Sequence, residues 1–485
     1  MKNVLAVAQV RAAEQSAMSG GLSETFLRFN ASLAVADFLV GKIKSDNAKT
    51  AVFCGTGGNG CDGLMAACRL RSQGCNVTVY IVGDRAKTDK ATLAFADNAG
   101  IAVRAASEYD GDAEVIIDAL FGIGLNRAIQ GEAAELIKRL NAQKDVFRLA
   151  VDIPSGLNAD TGEIMGVCFC ADVTLTFSCY KIGMLFSAGK DVCGKIIVKE
   201  IGVKTSSNIR VYEDDDFPKY SKNKSAHKGT SGRIYIIGGS GSMVGAPMMA
   251  AAAAHAAYLN GAGTVTACVP SIHRSAMSSR ATMAMMKYMP DTPDGFIRFD
   301  KKSLDEIICS AAAIDIGVGM GANPELKRIV EYLCANFDKT IIIDADALNA
   351  IKLDYAFLKS SKATLILTPH VGEFTRLTDK PATVENAMSL AKELGCIVVL
   401  KSATTIITDG NEVRLNVSGT PAMAKGGMGD VLGGCITALS CAFTPFDAAC
   451  IACYRNGMGA ERAVSSYAEM MLTADDVLRF ADYKE

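Results

Sequence analysis

The spacing of apolar residues alternates between two periods along this chain. Residues 3–39 carry apolar side chains at intervals of three and four, as in Phe26, Phe29 and Leu33, which predicts helix with a break at Gly20. Short apolar runs follow at 51–54 and 76–82, each leading through a loop into another helical pattern. This order of strand, loop and helix predicts an α/β fold with a doubly wound, Rossmann-like parallel sheet.

The same order starts again in the second half, after an acidic run at 213–216, Pro218 and several lysines. A charge reversal around a proline predicts a surface linker, which we place near 214–224. We therefore predict two domains, at 1–215 and 222–485. The apolar runs that predict strands in the second domain lie at 233–237, 264–269, 312–316, 341–343, 364–367 and 396–400.

Composition narrows the class of protein. A chain of 485 residues with 49% hydrophobic and 21% charged residues is globular and long enough for two domains. A net charge of -2 without a large basic patch argues against nucleic acid as a partner. Residues 1–11 turn polar too soon for a signal peptide, and no stretch reads as a membrane span, so we expect a cytoplasmic protein without a membrane partner. The sixteen cysteines then serve as small apolar residues in a reducing compartment.

Three polar loops follow predicted strands of the first half, at 55–63, 118–126 and 152–162. Ligands of a doubly wound sheet bind beyond the carboxyl ends of its strands, so these loops suggest a nucleotide site. Asn59, Asp118 and Ser155 supply hard oxygen donors that suit an alkali or alkaline-earth cation. The alternative for each aspartate is a loop cap or an Asx turn.

Together these loops resemble the NAD(P)H-hydrate epimerases, the YjeF N-terminal domain, as do 171–174 and 181–183. The family's first loop reads GxGNNGGDG, from which GTGGNGCDG at 55–63 departs at Gly58 and Cys61. The resemblance implies a potassium ion held by Asn59, Asp118 and Ser155, and a proton-transferring carboxylate at Asp152. It also implies that the following residues contact a hydrated nicotinamide nucleotide: Gly58, Asn59, Gly60, Cys61, Asp62, Gly122, Ile123, Gly124, Leu125, Asn126, Arg127, Ala128 and Asp152.

The hydroxyl group of that substrate is at C6 of the reduced ring, next to the ring nitrogen. Inversion at C6 requires either loss and return of the hydroxyl group or opening of the ring. The sequence leaves both routes open.

The second half contains a glycine-rich segment, GTPAMAKGGMGDVLGG at 419–434, that runs into an apolar helical pattern. Backbone N–H groups of Gly426, Gly427 and Gly429 at a helix start form a site for a phosphate or a developing oxyanion. Asp430 at that site is repelled by phosphate, so we interpret it as a base for a hydroxyl group that meets the phosphate. The alternative is a glycine turn with an aspartate cap.

Four motifs occur in the order of the ribokinase-like ADP/ATP-dependent NAD(P)H-hydrate dehydratases: DADALN at 344–349, TPHVGE at 368–373, KSATT at 401–405 and the glycine-rich segment. Thr368 and Ser402 are departures, since the family more often has Asn and Gly there. The resemblance implies that Asp430 deprotonates the C6 hydroxyl group, with Mg²⁺ assisting. It assigns the adenine nucleotide to Lys401, Ser402, Ala403, Thr404, Thr405 and Gly429, and the hydrate to Ala246, Gly321, His370 and Asp430.

Our leading hypothesis is a bifunctional enzyme that repairs hydrated NADH and NADPH (NADHX and NADPHX), with ADP as the expected donor and ATP as the alternative. The second hypothesis is a ribokinase-like small-molecule kinase with an N-terminal nucleotide-binding regulatory module. In a third, the first half is a nucleotide-sensing or protein-binding module that has lost its epimerase activity. Two of the predicted ligand contacts have alternative interpretations. His370 could instead cap a helix, and Lys401 could instead be a surface charge. The sequence leaves a homo-oligomer open.

Overall fold

The structure is a computed structural model that describes residues 1–42, 48–218, 231–243, 245–259, 262–278, 284–466 and 468–481. The chain divides into two compact units, Lys2–Ser207 and, with Met1, Asn208–Glu485. The predicted linker runs beyond the described residues after position 218, and the boundaries at 215 and 222 stay a prediction. None of the helices in the described ranges has the length and apolar character to span a membrane.

The first unit is built on a parallel sheet with the strand order β4-β3-β2-β5-β6-β7-β9. This confirms the predicted doubly wound α/β fold. In chain order, its elements are β1 (Lys2–Leu5), α1 (Val7–Ser19), α2 (Glu24–Val40), β2 (Thr50–Cys54), α3 (Gly58–Ser72), β3 (Val77–Ile81), α4 (Lys90–Asn98), β4 (Ala102–Ala105), β5 (Val115–Ala119), α5 (Gly131–Ala142), β6 (Phe147–Val151), β7 (Val173–Phe177), β8 (Tyr180–Lys181), α6 (Gly189–Val192) and β9 (Lys195–Lys199).

Both faces of this sheet are buried. Successive side chains of a strand point to opposite faces, and β2 shows the result. Val52 and Cys54 belong to one apolar cluster, with helices α2 and α3, whereas Phe53 belongs to another, with α5. Because both faces are covered, the strand sequences are continuously apolar, which is the pattern that allowed their prediction.

Two sequence predictions about the first unit were wrong. Residues 3–5 are not helical, because β1 pairs in parallel with β8 through Val4 and Leu5, which are both buried. Helix α3 starts at Gly58, within the segment 55–63 that we predicted as a loop, so the glycine-rich segment forms its first turn. The loop's N–H groups are therefore those of a helix N-terminus.

The second unit is an α/β unit with the strand order β13-β12-β11-β14-β15-β16-β17-β18-β19-β10. Strands β11 to β17 are parallel as predicted, whereas β18 runs antiparallel to both β17 and β19. In chain order, its elements are β10 (Ile209–Val211), β11 (Arg233–Ile237), α7 (Ala246–Leu259), β12 (Thr264–Pro270), α8 (Arg274–Ser278), β13 (Met285–Met289), α9 (Lys301–Ser310), β14 (Ala313–Ile316), α10 (Leu326–Asn336), β15 (Thr340–Ile343), α11 (Ala345–Ala350), β16 (Thr364–Leu367), α12 (Val371–Thr378), α13 (Val384–Leu394), β17 (Ile397–Leu400), β18 (Thr405–Thr408), β19 (Val413–Asn416), α14 (Met428–Leu439), α15 (Pro445–Val464) and α16 (Ala474–Phe480).

Helix α14, which follows the glycine-rich segment, packs closely on α7. A Cβ atom on Gly434 would lie 2.1 Å from the backbone oxygen of Ala253, so only glycine permits this approach. Helix α14 also packs on α15, in an apolar cluster that includes Val431 and Cys435. These contacts hold the N-terminus of α14 at the carboxyl end of the sheet.

Candidate active sites

A cavity of about 610 Å³ lies within the first unit, at the carboxyl ends of its strands. Helices α1 and α2 contribute Glu14 and Arg28 to its wall, and the loop after β5 contributes 120–127. Most predicted substrate contacts line it: Gly58, Asn59, Asp62, Gly122, Ile123, Gly124, Leu125, Asn126, Arg127 and Asp152. Gly60, Cys61 and Ala128 do not belong to the lining.

The first turn of α3 places backbone N–H groups at this cavity. A Cβ atom on Gly60 would lie only 1.8 Å from the carbonyl oxygen of Gly55, so this position requires glycine. The helix start adds its partial positive charge, which suits a phosphate-bearing ligand. Cys61 is buried, so its side chain contributes to packing in that turn.

Asp152 and Lys181 form an ion pair in the cavity wall. Asp152 follows β6 with a left-handed φ of 65°, and its Oδ1 also accepts hydrogen bonds from Thr176 Oγ1 at 3.2 Å and the Phe177 amide at 3.3 Å. Lys181 is buried, and its Nζ further donates to Thr176 Oγ1 at 2.7 Å. Sequence reasoning missed Lys181, although the matching 181–183 motif pointed to it.

Two further carboxyl groups face Asp152. Burial raises the pKa of Asp62 well above its usual value, and the charge of Asp152 raises it further while Arg28 opposes the shift. Burial also raises the pKa of Glu14, again with Asp152 as the next cause. Like charges near one another cannot all ionise easily, so the cavity combines an ion-paired carboxylate with carboxyl groups that favour the protonated form.

Asp118 and Ser155 are brought together behind the cavity. Oδ1 of Asp118 accepts from Ser155 Oγ at 2.6 Å and the Leu120 amide at 3.1 Å, and Oδ2 accepts from the Ser155 amide at 2.7 Å. Complete burial raises the pKa of Asp118 to about 6, despite these hydrogen bonds. The described residues provide Asp118 with no ion-pair partner.

Asn59, the third predicted cation ligand, lies against the same loop. A Cβ atom on Gly122 would be 3.1 Å from the Cβ atom of Asn59. The side-chain nitrogen of Asn59 is buried and has no hydrogen-bond partner among the described residues. Asn59 would bind a cation through its amide oxygen, and with the carboxylate of Asp118 and the hydroxyl group of Ser155 it supplies a set of oxygen donors that fits a monovalent cation.

In the second unit, Asp430 lies in the first turn of α14, after Gly427 with a left-handed φ of 89°. Burial raises the pKa of Asp430 to about 6; Asp344 adds to this shift and Lys401 opposes it. The base predicted from the sequence is therefore an aspartate at a helix N-terminus, with its proton affinity tuned close to neutral pH.

Lys401 lies near Asp430 and pairs with the aspartate that follows β15. Its Nζ donates to Oδ1 of Asp344 at 2.9 Å and lies 3.4 Å from the position of a Cβ atom on Gly429. Burial alone would lower the pKa of Lys401, but Asp344, Glu373 and Asp430 raise it above its usual value. Lys401 is thus a largely buried cation beside the glycine segment, rather than a surface charge.

His370 is the N-cap of α12. Its Nδ1 accepts hydrogen bonds from the amides of Gly372 at 3.0 Å and Glu373 at 3.2 Å. His370 therefore caps the helix, which is the alternative interpretation given above. The ring remains 53% exposed, and His370 forms a parallel bridge with Lys401. Capping and ligand contact are therefore compatible at this position.

The remaining predicted residues of this site fall at strand ends or turns. The Gly321 amide donates to Oδ2 of Asp346 at 2.7 Å, and Asp346 is among the groups that raise the pKa of Asp430. Ala246 begins α7, but its side chain falls outside the described part of the chain. Ser402, Ala403 and Thr404 form the turn from β17 into β18, which starts at Thr405; Ser402 Oγ donates to the Thr404 carbonyl at 2.6 Å.

Asp344, Asp346 and Glu373 surround Asp430 and Lys401, yet sequence reasoning did not single them out. The sequence could have indicated them, because all three belong to the DADALN and TPHVGE motifs. Asp315 on β14 was also missed, since it follows a run of alanines that predicts only a buried strand. Burial raises the pKa of Asp315 well above its usual value, with Asp344 and Asp430 as further causes.

Comparisons with known proteins cover both halves of the chain. The family model for NAD(P)H-hydrate dehydratase matches residues 234–480, and that for the YjeF-related protein N-terminus matches residues 24–183. The bifunctional NAD(P)H-hydrate repair enzyme Nnr of Thermofilum pendens is 32% identical over 482 residues, covering 93% of this chain and 87% of that protein. The chain belongs to this family of repair enzymes.

Other family members show a similar relationship. The Nnr enzyme of Moorella thermoacetica is 33% identical over 476 residues, covering 90% of this chain and 87% of that protein. A crystal structure of ADP/ATP-dependent NAD(P)H-hydrate dehydratase from Bacillus subtilis, obtained with ATP and Mg²⁺, is 28% identical with a TM-score of 0.46, and covers 54% of this chain and 91% of that one. The matches of family models to both halves disfavour a kinase with a regulatory module.

Proposed function

We propose that the first unit interconverts the R and S epimers of NADHX and NADPHX, and that the second dehydrates the S epimer with ADP as the phosphoryl donor. Family membership supports both activities. The observation that carries the proposal is the position of Asp430, which lies at a glycine-rich helix N-terminus beside the Lys401–Asp344 pair. A helix N-terminus binds phosphate, and a carboxylate next to it accepts a proton from a nucleophilic hydroxyl group.

In the proposed dehydration, Asp430 takes the proton from the C6 hydroxyl group as its oxygen attacks the terminal phosphoryl group. N–H groups of 426–429 stabilise the charge on the transferred group, and Lys401 contributes a fixed positive charge. The phosphate group then leaves C6 as the lone pair of the ring nitrogen forms an N1=C6 double bond, and loss of a proton from C5 restores the dihydropyridine. We assign nucleotide contacts to Lys401, Ser402, Ala403, Thr404, Thr405 and Gly429, and hydrate contacts to Ala246, Gly321, His370 and Asp430.

Mg²⁺ fits this site as a partner of the nucleotide. The described residues hold no group of three His, Cys, Asp or Glu side chains that could bind a metal ion by themselves. Mg²⁺ usually keeps several waters and binds through substrate phosphates with one or two carboxylates. It would neutralise charge on the phosphate oxygens during transfer.

In the proposed epimerisation, Asp152 exchanges a proton with the oxygen at C6, and Lys181 holds its carboxylate in place. The potassium ion would be held by Asn59, Asp118 and Ser155, where it compensates the buried charge of Asp118 and orders the loop after β5. The cavity residues predicted from the sequence would contact the nucleotide. A cytoplasmic location and a homo-oligomeric state stay predictions.

The decisive experiment incubates the full chain with NADHX and either ADP or ATP, and follows NADH at its absorbance band. We expect NADH to form faster with ADP than with ATP. NADH formation should be lost in Asp430→Asn, although this variant should still bind nucleotide. Phosphorylation of a sugar or hydroxymethylpyrimidine without NADH recovery would support a small-molecule kinase instead. Dehydration retained by Asp430→Asn would exclude Asp430 as the base.

The epimerase activity has its own readout in the same assay. In an R and S mixture the second unit consumes the S epimer first, and the slow phase then reports conversion of R to S. We expect the slow phase of the full chain to be faster than that of Asp152→Asn. Equal slow phases would favour a first unit that has lost epimerase activity.

A further inference from the structure

Glu14 is a cavity carboxyl group to which neither the sequence motifs nor the proposed chemistry assigns a role. It lies on α1 with Val10 and Met18, at intervals of four residues, and all three line the cavity. Residues four apart share one face of a helix, so α1 presents this face to the ligand space. Val10 is buried against Leu5 and Cys179, which anchors the helix at that end.

The Glu14 carboxyl group has no hydrogen bond or ion pair within the described chain, although it is partly buried. The charged and titratable groups around it include Asp152, Lys181, Arg11, Glu24 and Cys179, with Asp62 close enough to be influenced in turn. Burial and the negative charge of Asp152 both favour its protonated form. A protonated carboxyl group without a protein acceptor is available to donate to a ligand.

Inversion at C6 by loss and return of the hydroxyl group needs proton transfer on both faces of the ring. The leaving oxygen requires a proton on one face, and the incoming water loses a proton on the other. A single carboxylate fixed in one position reaches only one face. A pair of carboxyl groups whose environments push their pKa values apart is the arrangement that divides the acid and base roles.

We propose that Glu14 is the second acid–base residue of the epimerase site and acts on the ring face opposite Asp152. This inference rests on the proposed epimerase function and deepens it. Asp152 is fixed at the end of β6 by Lys181, whereas Glu14 comes from α1, so the two carboxyl groups reach the cavity from different elements. Because the two carboxyl groups come from different elements of the fold, their positions suit action on the two faces of the substrate ring.

Glu14 donates its proton to the C6 oxygen, the C6–O bond breaks to release water, and the nitrogen lone pair forms the N1=C6 double bond. Water then adds to C6 from the other face while Asp152 takes its proton, and the N1=C6 π electrons return to nitrogen. Glu14 ends as a carboxylate and Asp152 as an acid; the reverse reaction uses them in exchanged roles.

The test measures the slow phase of NADH formation from an R and S mixture, with the full chain and ADP. We expect Glu14→Gln to slow this phase by about 100-fold or more while the fast phase is unchanged. Glu14→Asp keeps an ionisable group, so it should restore part of the rate. The control is Glu135→Gln, an exposed carboxylate on α5 that pairs with Lys138 and should leave both phases unchanged.

The pH dependence separates a catalytic role from a structural one. The slow phase of the unsubstituted chain should fall as the pH rises and Glu14 loses its proton, and Glu14→Asp should keep this limb while Glu14→Gln lacks it. The inference would be overturned if the rate of the slow phase in Glu14→Gln were within about threefold of that of the unsubstituted chain. It would also be overturned if the slow phase were lost in Asp62→Asn and kept in Glu14→Gln. If the unsubstituted chain itself matches Asp152→Asn, the epimerase function fails instead.

Discussion

The carboxyl group of Asp315 lies so close to helix α14 that a Cβ atom on Gly433 would be 2.8 Å from its Oδ2. Asp315 is completely buried in the centre of the sheet, between β11 and β15. Neither of its carboxyl oxygens has a hydrogen-bond partner in the described parts of the chain. A buried polar group without a partner lowers stability, and Asp315 lies directly beneath the helix that bears Asp430.

Asp315→Val should therefore stabilise the second unit. The substitution removes an unpaired carboxyl group and keeps a side chain of similar shape, so we expect a gain of about 1–3 kcal/mol in the free energy of unfolding. Denaturant unfolding of the full chain checks it. Gly433→Ala is the matched test of the contact and should lower the midpoint. A lower midpoint for Asp315→Val would show that the carboxyl group has a partner.

Dehydration should depend on the ionisation of Asp430. Because its pKa is about 6 and the base must be ionised, kcat/KM for NADH formation should fall as the pH drops below 6. Lys401 lowers the pKa of Asp430, so Lys401→Met should move this acid limb to higher pH as well as weaken nucleotide binding. Lys380→Met, an exposed lysine, serves as the control. An acid limb at the same pH in Lys401→Met would contradict the coupling.

Asp118 should make the stability of the first unit depend on pH and on potassium. Its folded pKa of about 6 lies above the unfolded value, so the native state binds the extra proton and stability falls as the pH rises from 4 to 6. The cost above that window is about 3 kcal/mol at most. A cation that binds the carboxylate recovers part of it.

Melting temperatures in KCl and in choline chloride, measured from pH 4 to 8, check this prediction. We expect a potassium-specific increase near neutral pH that vanishes at pH 4 and in Asp118→Asn. Asp37→Asn, an exposed aspartate on α2, should behave like the unsubstituted chain. An increase in KCl that Asp118→Asn keeps would place the ion elsewhere.

Gly58, where the epimerase family has asparagine, should accept that side chain. A Cβ atom there would meet no atom within 4 Å, and Gly58 does not have a left-handed φ. Gly58→Asn should stabilise the first unit by about 0.5 kcal/mol and leave the slow phase at least as fast. Gly60→Ala is the opposite case, because its Cβ atom would meet the Gly55 carbonyl, and should disrupt the loop. A slow phase reduced tenfold or more in Gly58→Asn would contradict the prediction.

The strands and loops of both sites followed from local patterns, because a doubly wound sheet repeats strand, loop and helix and places its ligand loops at one edge. What local patterns missed depends on distant pairing. Lys181 is buried because β8 pairs with β1, far away in sequence, and the antiparallel β18–β19 hairpin follows a segment that we interpreted only as a nucleotide loop. Asp315 was missed because burial, rather than a motif, makes it unusual.

The short pairing of β1 with β8 also has a consequence for N-terminal deletions and fusions of this protein. Residues 2–5 supply the neighbouring strand for the two-residue strand that carries Lys181. Deletion of residues 2–5, or a purification handle that displaces this segment, would remove that support from the Asp152 partner. An epimerase assay that shows no activity is therefore interpretable only on a protein that contains residues 2–5 undisturbed.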